Sequence, residues 1–157
     1  MPAPTPATED PRLDDVDHRI VEHGRVGSLE EAAALRGVAP AAVIKTMVVR
    51  RADDDYVFVL VPGDRVIDWS KLRELLGERR LSMPDADEAH AATGYVRGTI
   101  TPLGSTTAWP VVADQRVAEG EVSIGGGDHG VSITIDGETL ATLLDAQVAD
   151  ATKERSG

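Results

Sequence analysis

The residue with the clearest capacity for chemistry is Lys45, which lies inside the aliphatic run AAVIKTMVVR, residues 41–50. The run has the composition of a buried β-strand, and an ammonium group is costly to bury unless a negative or hydrogen-bonding partner meets it. Two interpretations follow. Lys45 is either an edge-strand lysine whose ammonium reaches water, or a functional group whose partner is a ligand.

Two glycine-containing segments are the other candidates. The first, YVRGTITPLGSTTAWP (95–110), is interrupted by Gly98, Pro102 and further Gly and Pro residues, so it is predicted to be a loop with a functional role. The second, GGGDHG (125–130), contains His129 between two strand-like runs. It matches neither phosphate-binding glycine motif, and a tight β-hairpin explains its glycines equally well.

Several kinds of chemistry are excluded or unsupported. The chain has no cysteine, which removes disulfides, thiolate ligands and a cysteine nucleophile. Its four histidines show no HExxH spacing, and no G-x-S-x-G elbow occurs. The acidic run Asp53–Asp55 is typical of a solvated turn. We therefore predict no metal site and no cofactor.

The charge balance limits the partners. The net charge is −11, from 16 Lys and Arg against 27 Asp and Glu, and aromatic residues make up 3% of the chain. Extensive binding to duplex DNA or RNA needs many cations, and single-strand binding needs stacking platforms, so nucleic-acid contact is expected only at a short end. No apolar run approaches the length of a membrane span, and no signal segment is recognised, which predicts a cytoplasmic protein away from membranes.

The pattern of elements predicts one mixed α/β domain. Capping residues and glycine stops predict helices over residues 28–37, 68–77 and 85–94, and leucine spacing predicts a last helix through Val148. VIKTMVVR and YVFVLVPG are predicted to form a hairpin, and three later strands are expected. Residues 1–15 are expected to form a flexible arm, 16–152 the domain and 153–157 a tail.

Four blocks in fixed order carry a resemblance to a known family. They are SLEEAAALRGV followed by VIKTMVV, then VLVPGDRVIDWSKLRELLG, TGYVRGTITPLG and VSIGGGDHGVSITI. Over residues 20–150 the sequence resembles the YbaK-type aminoacyl-tRNA deacylases, which are free-standing relatives of the editing domain of bacterial prolyl-tRNA synthetases.

The resemblance implies a mixed, barrel-like β-sheet flanked by helices, and hydrolysis of the ester between a wrong amino acid and tRNA. It places Lys45 at the family's functional lysine and Gly98 and Pro102 at the ends of its G-x-x-x-P loop. The catalytic group implied is Lys45, Gly98, Thr101 and Pro102. The substrate-binding group implied is Thr46, Thr99, Ile100, Leu103, Gly127 and His129.

The resemblance also implies the acceptor end of an aminoacyl-tRNA as partner, with a synthetase as a further partner. One departure concerns specificity, because the cysteine-removing branch continues its loop as P-[LF]-G-Q-K, whereas Ser105 follows Leu103 and Gly104 here. The alternative hypothesis is a non-catalytic module that binds an aminoacyl nucleotide or a synthetase.

Overall fold

The computed structural model describes residues 4–24 and 26–155. In these residues nine strands form sheets of four, three and two strands, and four α-helices pack around them. The predicted mixed sheet flanked by helices is confirmed. The described strands make three sheets and do not close into one barrel.

The four-stranded sheet carries the strand of Lys45. Strands β2 (Ile44–Ala52) and β3 (Asp55–Pro62) form the predicted antiparallel hairpin, with Asp54 at φ 57° in its turn. β3 is buried along almost its whole length, because one face packs on a cluster around Phe58 and the other on a cluster around Val59. A strand covered on both faces needs a continuous apolar run, which YVFVLVP supplies.

Parallel pairing completes this sheet. β3 pairs in parallel with β5 (Val111–Asp114), and β5 pairs in parallel with β8 (Gln147–Ala149), giving the order β2-β3-β5-β8. Parallel neighbours require crossover connections, and the chain between β3 and β5 contains two helices and the predicted functional loop.

The other two sheets are antiparallel. β1 (His18–Glu22), β7 (Val131–Asp136) and β6 (Glu121–Gly125) pair in the order β1-β7-β6. β4 (Arg65–Ile67) pairs with β9 (Thr152–Glu154). A single bridge between Val43 and Ser123 links the start of β2 to the three-stranded sheet.

The predicted helices are confirmed with their caps. They are α1 (Leu29–Arg36), α2 (Trp69–Leu76), α3 (Ala86–Thr93) and α4 (Gly137–Leu143). The side chains of Ser28, Asp68 and Asp85 accept hydrogen bonds from backbone N–H groups in the first turns of α1, α2 and α3. No helix in the described ranges has the length and apolarity needed to cross a membrane.

The last helix was predicted too long. α4 ends at Leu143, and Asp145 turns the chain at φ 52°, so Val148 lies on β8 and not on the helix. The leucine spacing could not show this end, because no glycine or proline marks it. At the chain's end, Thr152–Glu154 pair with β4, so part of the expected tail is a strand.

The expected flexible arm differs most from the structure. Ala7 and Leu13 are buried in the main core, and Thr5 Oγ1 donates a hydrogen bond to the carbonyl oxygen of Gly126 at 2.6 Å. A proline-rich, acidic composition gave no sign of these contacts, since two small apolar side chains are enough to anchor the segment.

Candidate active site

A cleft of about 700 Å³ lies between β2, the end of α1, the start of α3 and the loop that follows α3. Its volume is within the range of sites that bind small molecules. Four of the residues singled out from the sequence line it together: Lys45, Thr46, Gly98 and Ile100. The structure therefore brings the strand lysine and the first half of the predicted loop to one place.

Lys45 is half-buried at the start of β2, and its ammonium donates a hydrogen bond to the carbonyl oxygen of Arg65 at 2.7 Å. Burial and the nearby positive charge of Arg155 lower its pKa from the ordinary value, and the Asp64 carboxylate partly offsets this. A carbonyl oxygen supplies only a partial negative charge. The ammonium is thus held in place while its full charge remains unneutralised by contact.

Lys45 lines two clefts. On a strand, alternate side chains face opposite sides, so Lys45 and Met47 share a face that Ile44 and Thr46 do not. Lys45 also lines a second, smaller groove with Trp69. The lysine stem leaves the sheet on this second side while still contributing to the wall of the larger cleft.

Thr46 faces the larger cleft with an unused polar group. Its Oγ1 is buried and has no hydrogen-bond partner within residues 4–24 and 26–155. A buried hydroxyl without a partner costs roughly 1–3 kcal/mol. A ligand group that pairs with this hydroxyl would recover that free energy.

The loop after α3 begins with a tight turn. Val96 O accepts hydrogen bonds from the Thr99 N–H at 3.0 Å and from Thr99 Oγ1 at 2.8 Å. Gly98 occupies the turn at φ +91°, a conformation that favours glycine. This explains, from the backbone alone, why a glycine stands at this position of the cleft wall.

Several backbone donors in this loop are uncommitted among the described residues. Within the described ranges, the N–H groups of Gly98, Ile100 and Thr101 donate to no protein acceptor. Buried or half-buried backbone N–H groups are nearly always paired in proteins, so unpaired donors beside a cleft are suited to bind an oxygen of a ligand.

Buried groups behind the loop hold it in shape. Thr101 and Leu103 are fully buried, and the Tyr95 hydroxyl donates to Leu103 O at 2.6 Å. Burial raises the pKa of Tyr95 to about 12, so this donor stays protonated at neutral pH. Thr101 and Leu103 are therefore packed in the core, and they hold the loop from behind.

The N-terminal segment supports the end of the same loop. The Gly104 N–H donates to Asp10 Oδ2 at 2.8 Å, and Arg12 pairs with Asp10 at 2.7 Å. Gly104 has φ +70°, and a Cβ atom there would lie 2.3 Å from the Pro6 carbonyl carbon. Only glycine permits this close approach of the two segments.

The glycine-rich turn contacts the loop, and of its residues 125–130, all of them described, Gly125 alone lines the cleft. A Cβ atom on Gly98 would lie 3.3 Å from His129 Cε1, and one on Gly125 would lie 3.7 Å from Ile100 O. His129 is exposed, and Gly127 lies against Tyr95 and the N-terminal segment. The hairpin explanation of the glycines is confirmed by the antiparallel pairing of β6 and β7.

The remaining predicted site residues lie behind the cleft wall. The side chains of Thr99, Thr101, Pro102 and Leu103 are buried and are not part of the lining. Sequence reasoning missed other lining residues, among them Arg36, Asp85 and Gly125. Capping explained Asp85, a helix end explained Arg36 and a hairpin explained Gly125, so no sequence signal set them apart.

The α3 wall is anchored from outside the cleft. Glu88 of α3 accepts hydrogen bonds from Arg50 at 2.8 Å and from the Tyr56 hydroxyl, and Trp109 Nε1 donates to Ala92 O at 2.8 Å. These bonds fix α3 against the hairpin. The wall formed by Ala86 and Ala89 is therefore held at a defined distance from β2.

The structure defines an α/β protein with a cleft shared by a strand lysine and a glycine-containing loop. Comparison with known families then gives the family. A family model described as "Aminoacyl-tRNA editing domain" matches residues 23–143, well over half of the 157-residue chain. The chain belongs to the aminoacyl-tRNA editing domain family, and the resemblance seen in the sequence is confirmed.

The chain is similar both to a protein named as a candidate deacylase and to a much longer synthetase. Over 126 residues it is 26% identical to EbsC of Enterococcus faecalis, named as a candidate Cys-tRNA(Pro)/Cys-tRNA(Cys) deacylase, covering 80% of this chain and 77% of that protein. Over 119 residues it is 34% identical to proline–tRNA ligase 1 of Streptomyces avermitilis. That match covers 74% of this chain but only 21% of the ligase.

The fold is shared with a solved structure of similar size. A crystal structure described as a candidate trans-editing enzyme for prolyl-tRNA synthetase superposes with a TM-score of 0.80 at 26% identity. The match covers 87% of each chain. The fold is thus common to both chains.

Proposed function

We propose that this protein is a hydrolase that deacylates mischarged aminoacyl-tRNA. The observation that carries the proposal is the meeting of Lys45, Gly98 and Ile100 in one cleft of a chain that belongs to the editing-domain family. The substrate is an ester, which is already activated toward water, so a protein nucleophile is not required.

The reaction needs stabilisation of one oxygen. Water adds to the ester carbonyl, negative charge develops on the carbonyl oxygen, and the bond from the carbonyl carbon to the ribose oxygen then breaks. The ribose oxygen receives a proton, and a free amino acid and uncharged tRNA leave. The uncommitted N–H groups of Gly98 and Ile100, two residues that line the cleft, suit the charged oxygen. Each such donor is worth roughly 3 kcal/mol.

Lys45 supplies the positive charge at this site. We assign it to positioning through its ammonium, either at the carbonyl oxygen or at the terminal phosphate, and not to proton abstraction. To reach either oxygen it exchanges its present acceptor, Arg65 O, for the substrate. Water is then oriented by the neighbouring hydroxyl of the substrate's own ribose.

The other predicted residues take supporting roles in this proposal. Thr46 offers its unpaired hydroxyl to the substrate, and Thr101, Pro102 and Leu103 shape the loop from behind. Thr99 fixes the turn that presents Gly98. His129 borders the loop beside Gly98, and we assign no proton transfer to it.

The proposed substrate is a small amino acid on tRNA, with tRNA-Pro as the first candidate. Two observations support this: a relative named for Cys-tRNA(Pro), and a structural neighbour described as a candidate trans-editing enzyme for prolyl-tRNA synthetase. The partner is the acceptor end, and a synthetase is a further proposed partner in the cytoplasm. Pocket shape discriminates between such amino acids by a free energy of only about 1–3 kcal/mol per methylene. Experiment must therefore identify the amino acid that is removed from the tRNA.

The test is a panel of mischarged tRNAs incubated with the purified protein. We expect release of at least one small amino acid, measured as loss of acid-precipitable radiolabelled aminoacyl-tRNA, well above the spontaneous rate. Saturable binding of an aminoacyl-adenosine analogue without release from any tRNA would support the non-catalytic alternative and overturn the proposal.

A further inference from the structure

Arg36 is a cation in the cleft whose role neither the loop nor the strand lysine explains. It is the last residue of α1, it is half-buried, and it lines the cleft beside Val43 and Gly125. The site proposed above rests on other residues, so Arg36 is available for a separate function.

The guanidinium group of Arg36 lacks a counter-ion. Within residues 4–24 and 26–155 it makes no ion pair, and its one hydrogen bond runs from Nη1 to Ser123 Oγ at 3.5 Å. Its Nε is buried and has no acceptor among the same residues. Burial lowers the pKa of this arginine.

A structural role does not account for this arrangement. A cation at a helix C-terminus is favoured by the helix dipole, but that interaction does not require the guanidinium Nε to be buried. Burying a guanidinium without an acceptor for its Nε costs free energy. A hydrogen bond of 3.5 Å to a hydroxyl is long and offsets little of that cost. An anionic ligand group would remove that cost.

We propose that Arg36 is the receptor for an oxyanion of the substrate. An arginine fork pairs with two oxygens of a phosphate or a carboxylate in the same planar geometry, so either group satisfies Nε and a terminal nitrogen at once. The aminoacyl end of tRNA offers two sources: the phosphate of the terminal nucleotide, and a carboxylate on the amino acid side chain. This inference rests on the proposed function.

The sources are separated with four small substrates. These are 3′-aminoacyl-adenosines that carry alanine or glutamate, each with and without a 5′-phosphate. They are hydrolysed by the native protein and by Arg36→Met, which keeps the side-chain length without the charge. Arg19→Met, at an exposed arginine on β1, is the control for the loss of one positive charge.

We expect Arg36→Met to lower kcat/KM by about 10- to 100-fold, and to do so only on the substrates that carry the recognised anion. A loss confined to the 5′-phosphorylated pair identifies the phosphate, and one confined to the glutamyl pair identifies the carboxylate. Equal losses on all four substrates, or none on any, overturn the proposal.

A binding measurement keeps the inference independent of turnover and of variant folding. The Arg36 Nε–H resonance of the native protein is followed by NMR as inorganic phosphate, and separately acetate, is added. We expect a saturable shift of that resonance with at least one anion. If neither anion shifts the resonance, the proposed role of Arg36 is wrong, even if hydrolysis is found. If an anion shifts the resonance but the protein releases no amino acid, only the proposed function is wrong.

Discussion

Lys45 carries the charge on which the proposed site depends. The charges around it allow a testable prediction of its pKa. Desolvation and the charge of Arg155 act against the ammonium, while Asp64 favours it. The ammonium is nonetheless bonded to Arg65 O, so it is positioned before any substrate arrives. The choice between a water-exposed edge lysine and a ligand-facing lysine stays a prediction, because Lys45 is half-buried and lines both the larger cleft and the smaller groove.

We expect Lys45 to titrate below the ordinary lysine value of 10.5. Asp64→Asn should lower the pKa further and Arg155→Ala should raise it, because the two substitutions remove opposite charges. Between the folded and unfolded pKa values the unfolded chain binds more protons, so stability should rise with pH through that window. The ¹³Cε shift of Lys45 measures this, and titration at the value of a free lysine with no response to either substitution contradicts it.

Arg36 shows where residue-level prediction stops. Its sequence context, an eight-residue helix ending in Arg-Gly, is what a solvated helix end also displays. Only the structure shows that Arg36 lines the cleft and donates to Ser123 Oγ, 87 positions away in the chain. The same holds for the Thr46 hydroxyl, whose missing partner is visible in the structure alone.

At the scale of elements, local chemistry predicted the helices and the hairpin. Ser28, Asp68 and Asp85 are caps whose hydrogen bonds involve residues three positions away, so the sequence contains the whole interaction. The end of α4 and the N-terminal segment depend on distant contacts. Nothing near Ala7 or Leu13 in the sequence indicates the core that covers them.

The N-terminal segment should therefore matter for the site. Asp10 is buried, and although burial opposes its charge, hydrogen bonds from Arg12 and the Gly104 N–H lower its pKa. Its carboxylate thus stabilises the fold above about pH 4, and this contribution is lost as the pH falls through the lowered value. Acid unfolding should begin where this carboxylate gains a proton.

We expect Asp10→Ala to lower the free energy of unfolding by about 1–3 kcal/mol at neutral pH, because the Gly104 N–H loses its acceptor. Deacylation should fall as well, since the loop holding Ile100 and Thr101 loses an anchor. Urea unfolding and deacylation rates measure the two effects. Asp15→Ala, at an exposed aspartate, is the matched control, and equal behaviour of the two variants contradicts the anchoring role.

At the scale of the whole molecule, the negative net charge conceals a local basic surface. A cleft of about 480 Å³ is lined by five arginines and one aspartate: Arg50, Arg51, Arg73, Arg79, Arg80 and Asp53. Arg50 pairs with Glu88 and Arg51 with Asp55, while the other three arginines make no ion pair in the described ranges. Ser82 lines this basic cleft and the next residue, Met83, lines the candidate active site, so the two are adjacent.

We expect the basic cleft to contact phosphates of the acceptor stem. Arg79→Ala with Arg80→Ala should raise KM for a full-length aminoacyl-tRNA several-fold and flatten its salt dependence, because fewer counterions are released on binding. The same double variant should leave hydrolysis of a 3′-aminoacyl-adenosine unchanged. KM measured for both substrates between 50 and 200 mM salt tests this, and an equal change on both substrates counts against it.

The central claim is that the Lys45 ammonium acts on the substrate in the cleft. The direct test is single-turnover deacylation of the mischarged tRNA that the panel identifies, with enzyme in excess. The native protein is compared with Lys45→Met and with the control Lys153→Met, at an exposed lysine. Lys45→Met should lower the rate about 100-fold with little change in the unfolding midpoint, and Lys153→Met should match the native protein. A folded Lys45→Met protein that deacylates within twofold of the native rate would contradict the claim.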